Sequence, residues 1–175
     1  MAHVMIARPA ASEYNPHYAG YVAAVPEGDL LETLESQIED AVKLLKGVDD
    51  KKSRHRYAPD KWSVREVVGH LADSERVFAY RALRFARGDA TPLPSFDENE
   101  WAKISNADAR PLPDLVAELT VVRGASLALF RSFTDKEFAR AGIASGNPIT
   151  VRALAYIITG HERHHVRILR ERYGI

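Results

Sequence analysis

A chain of 175 residues is long enough to bury about two thirds of the surface it exposes when unfolded, so one domain with a real core is expected. It contains no cysteine, which excludes disulfides, thiolate metal ligands and a cysteine nucleophile, and any thiol chemistry must draw its thiol from outside. Lysine plus arginine and aspartate plus glutamate number 24 each, which leaves no electrostatic footprint for nucleic acid or an anionic membrane. With no charged start followed by an apolar core, and no apolar run of about 18 residues, a cytoplasmic protein is expected.

Residues 1–28 carry His3, His17, Pro9, Pro16, Gly20, Pro26 and Gly28 with no helical period. They read as an N-terminal arm laid over a single body, residues 29–175, by Tyr14, Tyr18, Tyr21 and Val22. Asp29 with Glu32 opens the first long helix, in which Leu30, Leu31, Leu34, Ile38, Ala41, Val42 and Leu45 recur at helical spacing until Gly47. Val48 to Asp60 is charged and irregular and reads as a solvated loop.

Ser63 and Glu66 form a capping box for a second long helix that runs to about Ala86. Its buried stripe is Val64, Val67, Val68, Leu71, Phe78, Ala82 and Phe85, with His70, Ser74 and Arg81 on the flank. Between Gly88 and Pro113 four prolines exclude a long helix, although a short one from Asp97 to Ile104 fits, with Asp97 and Glu100 as cap residues. Phe96 and Trp101 give this crossover an apolar underside suited to walling a pocket. The third long helix spans Asp114 to Phe133; Thr134 and Glu137 box a further turn, and Ala141 to Pro148 reads as a loop rather than a strand. Four long helices with one long connection define an all-α four-helix bundle.

The last helix, Thr150 to Tyr173, carries Gly160-His161-Glu162-Arg163-His164-His165. At about 100° per residue, His161 and His165 share the apolar stripe of Leu154, Ile158, Ile168 and Leu169, while His164 and Arg163 fall outside it. H-x-x-x-H spacing arises by chance in many helices, but two core-facing imidazoles need a common partner, and a metal ion is one. The H-E-x-x-H protease motif is absent, one residue short. A third ligand must come from another helix; His3, His17 and His55 lie in segments without helical pattern and His164 points away, which leaves His70. The same phase rule places Gln37, Glu75 and Glu162 inside the bundle, where the carboxylates need a cation, and Arg123 is the nearest basic candidate. An inward carboxylate is also placed to orient a metal-bound imidazole.

The segments Lys61-Trp62-Ser63-Val64-Arg65-Glu66-Val67-Val68-Gly69-His70-Leu71-Ala72-Asp73-Ser74-Glu75, Phe78-Ala79-Tyr80-Arg81, Ala90-Thr91-Pro92-Leu93-Pro94 and Gly160-His161-Glu162-Arg163-His164-His165 together resemble the DinB-like superfamily, over nearly the whole chain. The resemblance implies an up-up-down-down four-helix bundle, usually a homodimer, with a divalent metal ion on three histidines, here His70, His161 and His165. It also implies a small-molecule substrate, since some relatives are S-transferases using bacillithiol and one is a mycothiol-dependent isomerase. Imidazole ligands suit zinc or nickel, with iron or manganese also open. Three such ligands leave an ion with open positions, able to activate a thiol or water against a small electrophile. The alternative is a non-catalytic metal or small-ligand binding protein, or one of stress response; no general base is evident in the sequence.

Overall fold

Each long helix begins where a side chain can cap it. In the computed structural model, which describes residues 5–175, Asp29 accepts from the backbone of Leu31 and Glu32 to open α2 (Leu30–Lys46). The reciprocal Ser63–Glu66 box opens α4 (Val64–Ala86), and Thr150 accepts from the Ala153 backbone to open α8 (Val151–Tyr173). The third long helix, α6 (Leu112–Arg131), starts behind Pro111. Short pieces connect them: α1 (Ala19–Ala24), α3 (Asp50–Ser53), α5 (Glu98–Ile104) and α7 (Asp135–Phe138), the last opened by the Thr134–Glu137 box. None of these helices is long and apolar enough to cross a membrane.

Two apolar clusters fill the bundle. Leu30 and Leu34 of α2, Phe78 and Phe85 of α4, Phe130 of α6 and Leu154 and Ile158 of α8 form one end. Ile38 and Leu45, Val64 and Val68, Leu115 and Leu119, and Leu169 form the other. Read along the chain, α2 and α8 run from the first cluster to the second, and α4 and α6 run back. The order is therefore up-down-down-up, not the up-up-down-down order implied by the resemblance. The reason lies in the links: up-up-down-down needs two connections that span the bundle, whereas this chain has one, the crossover from Arg87 to Pro111.

Three other expectations are corrected. The arm is not without helix, since 3-10 turns at Ala11–Glu13 and Pro16–Tyr18 lead into α1. Docking rather than periodicity sets it: a Cβ on Gly160 would lie 1.9 Å from the Tyr21 carbonyl oxygen, so α1 crosses α8 in near contact of backbones. The Glu13 carboxylate then takes Nε and Nη2 of Arg152 at 2.6 Å each and the Thr150 hydroxyl at 2.9 Å. His17 is exposed, and His3 lies outside the described residues.

The stretch from Val48 to Asp60 contains α3, and its Ser53 is fully buried. The Ser53 hydroxyl accepts from Arg65 Nε at 2.8 Å, while Arg65 also pairs with Asp50, and Arg56 bridges Glu66 and Asp108. Finally, Ala141 to Pro148 lies in a hairpin of β1 (Ala141–Ala144) and β2 (Asn147–Thr150), with Ala141 opposite Thr150 and Ala144 opposite Asn147. Ser145 and Gly146 both take positive φ, 52° and 75°, as a two-residue hairpin turn demands. The Leu93 amide donates to the Ile143 carbonyl at 2.9 Å and the Ser145 amide to the Leu93 carbonyl at 3.0 Å, stitching the crossover to the hairpin.

Candidate metal centre

His161 and His165 stand one turn apart on α8, and antiparallel packing brings His70 of α4 to the same level. His70 Nε2 lies 3.0 Å from His161 Nε2, and His165 Nε2 lies 3.1 Å from it. One ring nitrogen from each of the three falls within 4.8 Å of the others. The remaining candidates are elsewhere: His55 packs near Tyr173, and His164 sits beside His165 at 5.2 Å between ring centroids, outside the converging set.

Aromatic rings fix the imidazoles. Trp62 lies 4.5 Å from the His70 ring and stacks on His165 at 6.2 Å, and its carbonyl accepts the Tyr173 hydroxyl. Tyr21 and Phe78 meet His161 edge-on at 5.4 and 6.1 Å. The Ser74 hydroxyl stands 3.3 Å from His70 Nδ1. Burial pushes the His70 imidazole down to about 4. Burial first, and then the neighbouring rings, hold His161 and His165 well below the usual histidine value. All three are neutral at pH 7, with lone pairs available.

That donor set fits a divalent ion. A neutral imidazole has one N–H, so three ring nitrogens facing one point cannot satisfy one another fully, whereas one Lewis acid accepts all three lone pairs. Among the described residues His165 Nδ1 is buried without a hydrogen-bond partner, while Nε2 faces the other two rings.

The histidines open on a cavity of about 210 Å³ walled by Tyr18, Tyr21, Trp62, Phe78 and Phe96, with Arg81, Ser74, Glu98 and Ser145 as its polar lining and His17 and His164 also in its wall. Trp101, expected in this wall, instead stacks on Phe96 at 4.8 Å and is 40% exposed. Trp62 takes its place and was not anticipated; its position just before the Ser63 cap, where an apolar residue folds back on the helix, was the signal. A larger hollow of about 440 Å³ lies between α1, α2 and α8, but none of the three histidines lines it.

Beneath the histidines lies the polar layer. Arg123 donates through Nε and Nη2 to the two oxygens of Glu75, 2.9 Å each, through Nη2 to Glu162 at 2.5 Å, and through Nη1 to the Leu34 carbonyl at 2.9 Å. Gln37 Nε2 donates to Glu162 at 2.6 Å and to the Thr159 carbonyl at 3.1 Å. Phase placed Gln37, Glu75 and Glu162 correctly, while Arg123, expected on the flank of its helix as the nearest basic candidate, is itself buried. The idea that one glutamate bonds an imidazole directly is not met among the described residues: both carboxylates turn to Arg123, and together with His161 they line one small void.

A four-helix bundle with three histidines converging at one level presents a candidate metal centre. The chain belongs to the DinB superfamily, whose sequence pattern matches residues 33–169. It is 31% identical over 149 residues, 79% of this chain and 81% of the relative, to a Geobacillus thermodenitrificans protein provisionally named a metal-dependent hydrolase. A Bacillus licheniformis protein with the same provisional name is 36% identical over 126 residues, 67% of this chain and 70% of the relative. Among solved structures, YfiT from Bacillus subtilis, described as a probable metal-dependent hydrolase with an unusual four-helix bundle topology, superposes with a TM-score of 0.76 at 23% identity, over 93% of this chain and 94% of that one.

Proposed function

We propose that His70, His161 and His165 hold one divalent ion, zinc or nickel first, and that the protein is a metal-dependent enzyme acting on a small molecule in the adjoining cavity, by hydrolysis as its relatives' names suggest. The convergence of three neutral imidazoles beside that cavity, two buried and one partly buried, carries the reading. When bound, such an ion lowers the pKa of a coordinated water or thiol toward neutrality and polarises an electrophile.

The protein's own groups do the rest. Trp62, Phe78 and Tyr21 form an apolar wall that excludes bulk water and fixes the imidazole planes. Ser74 stands against His70 and limits its rotation. The one carboxylate of the lining, Glu98, is exposed and is the available acceptor for a proton leaving an attacking water. That scarcity of bases favours a second reading, transfer of an external thiol, because a metal-bound thiol needs no strong base to ionise. Pairing as a homodimer also belongs to the proposal; Tyr80, Leu83, Trp101, Ile104 and Val121 are exposed apolar groups suited to a two-fold contact.

The experiment is elemental analysis of wild type and His161→Ala, followed by turnover with ester, amide and thiol-plus-electrophile panels. One divalent ion per chain, lost in the variant together with turnover, is expected. Equal metal content in both proteins, or turnover that is absent from the metal-loaded wild type, overturns the enzyme reading.

A further inference from the structure

Three arginines are buried in this protein: Arg65, Arg81 and Arg123, with 2%, 3% and 1% of their surface exposed. Arg65 pairs with Asp50, and Arg123 with Glu75 and Glu162. Arg81 alone among them meets no carboxylate. Its Nη2 donates to the Pro94 carbonyl at 2.7 Å and to the Ser145 hydroxyl at 3.1 Å, both neutral, and its guanidinium carbon lies 5.9 Å from the Phe78 ring and 5.8 Å from the Phe96 ring. A buried cation served only by neutral acceptors and ring faces is left undercompensated. Arg81 lines the cavity that holds the three histidines and also a neighbouring hollow of about 170 Å³ bordered by Asn15 and Asn147.

Helix spacing explains the juxtaposition. His70, Ser74, Phe78 and Arg81 follow at intervals of four, four and three residues and line one face of α4. Phe78 sits midway, 6.1 Å from the His161 ring and 5.9 Å from the Arg81 guanidinium carbon. The phenyl ring is thus the surface shared by the two ends of the cavity. The other charged group of the wall, Glu98 on α5, is exposed and makes no ion pair with Arg81.

We propose that the cavity takes a small carboxylate, with Arg81 receiving the carboxylate group and the opposite end of the molecule lying at the three histidines. This rests on the metal reading above for the reacting end alone; the anion site itself stands on Arg81. With Nη2 engaged by Pro94 and Ser145, Nη1 and Nε are the N–H groups that can donate to a carboxylate, and such charge-assisted bonds select against a neutral isostere.

Calorimetric titration of zinc-loaded and metal-free protein with succinate and with its neutral analogue succinamide tests it, in wild type and Arg81→Met. Wild type is expected to favour succinate by about tenfold or more, from the ordinary strength of charge-assisted bonds, and Arg81→Met to lose that preference while keeping its zinc and its helical circular dichroism. Because the metal-free titration reads Arg81 directly, absence of zinc would defeat the metal reading and leave this one to be decided. Should Arg81→Met fail to fold, the arginine Nε–H signals of the wild type in 15N spectra take over: succinate must shift the Arg81 signal and spare those of Arg65 and Arg123. A retained preference in Arg81→Met, no preference in wild type, or an unmoved Arg81 signal overturns the proposal.

Discussion

Replacing Arg123 with methionine isolates the polar layer. Arg123 is 1% exposed, and its four bonds serve Glu75, Glu162 and the Leu34 carbonyl. Burial works against its charge, but Glu162 and Glu75 hold the guanidinium above its usual pKa. Methionine fills similar volume and returns none of these bonds, so two carboxylates exposed to 4% and 2% lose their cation together. Removing one partner of a buried pair costs about 3–5 kcal/mol. At roughly 2–4 °C per kcal/mol for a domain of this size, the melting temperature of metal-free protein should fall by about 6–20 °C. Differential scanning calorimetry measures it. The variant Arg123→Met/Glu75→Gln/Glu162→Gln removes the orphaned charges with the cation and should regain more than half of the loss. A melting temperature for Arg123→Met within about 2 °C of wild type, or no recovery in the triple variant, would show that water or rearrangement relieves these groups and that the buried-charge argument fails.

The arm should be held by a pH-dependent clasp. Hydrogen bonds from Arg152 lower the Glu13 pKa, so their contribution is present above the ordinary glutamate value of 4.5 and is lost as pH falls through the lower folded value. Arg152→Gln should cost about 1 kcal/mol at pH 7, after discount for partial exposure, with faster amide exchange in residues 11–18; a deficit unchanged at pH 3 would refute the link. Gly160→Ala adds a methyl group against the Tyr21 carbonyl. It should destabilise by about 1–3 kcal/mol despite the gain in helix propensity, and a raised melting temperature would contradict the close crossing. Trp62 lies against two of the three histidines, whereas Trp101 stacks on Phe96. Zinc should therefore change the fluorescence of Trp101→Phe and leave that of Trp62→Phe nearly unchanged; the reverse pattern would place the ion elsewhere.

Long elements were legible because helical phase repeats many times. Over the 23 residues of α8 the period separates His161 and His165 from Arg163, and the same rule put Gln37, Glu75 and Glu162 inside. Capping boxes marked two starts with a local bond, and a one-sided cap by Asp29 marked a third. Strands of four residues carry too few alternations to register, and in the hairpin only the Ser145-Gly146 pair announced the turn. Trp62 and α1 were hidden for another reason: apart from the contact of Trp62 with His70, their partners His165, Tyr173 and Gly160 lie about a hundred or more residues away, and no local pattern encodes them. The direction of the helices was missed because it depends on how far each link travels, not on what the helices contain.

The wall of the cavity joins the two extremes of the chain. Tyr18 and Tyr21 of the arm face His161 and His165, and Tyr156 donates to the Ile6 carbonyl across 150 residues of sequence. Synthesis runs from the N-terminus, so the arm emerges before α8, the helix whose backbone it meets at Gly160. A nascent chain lacking α8 can hold three helices but has only His70 of the three converging histidines. The set of three converging histidines is therefore complete only once α8 is present.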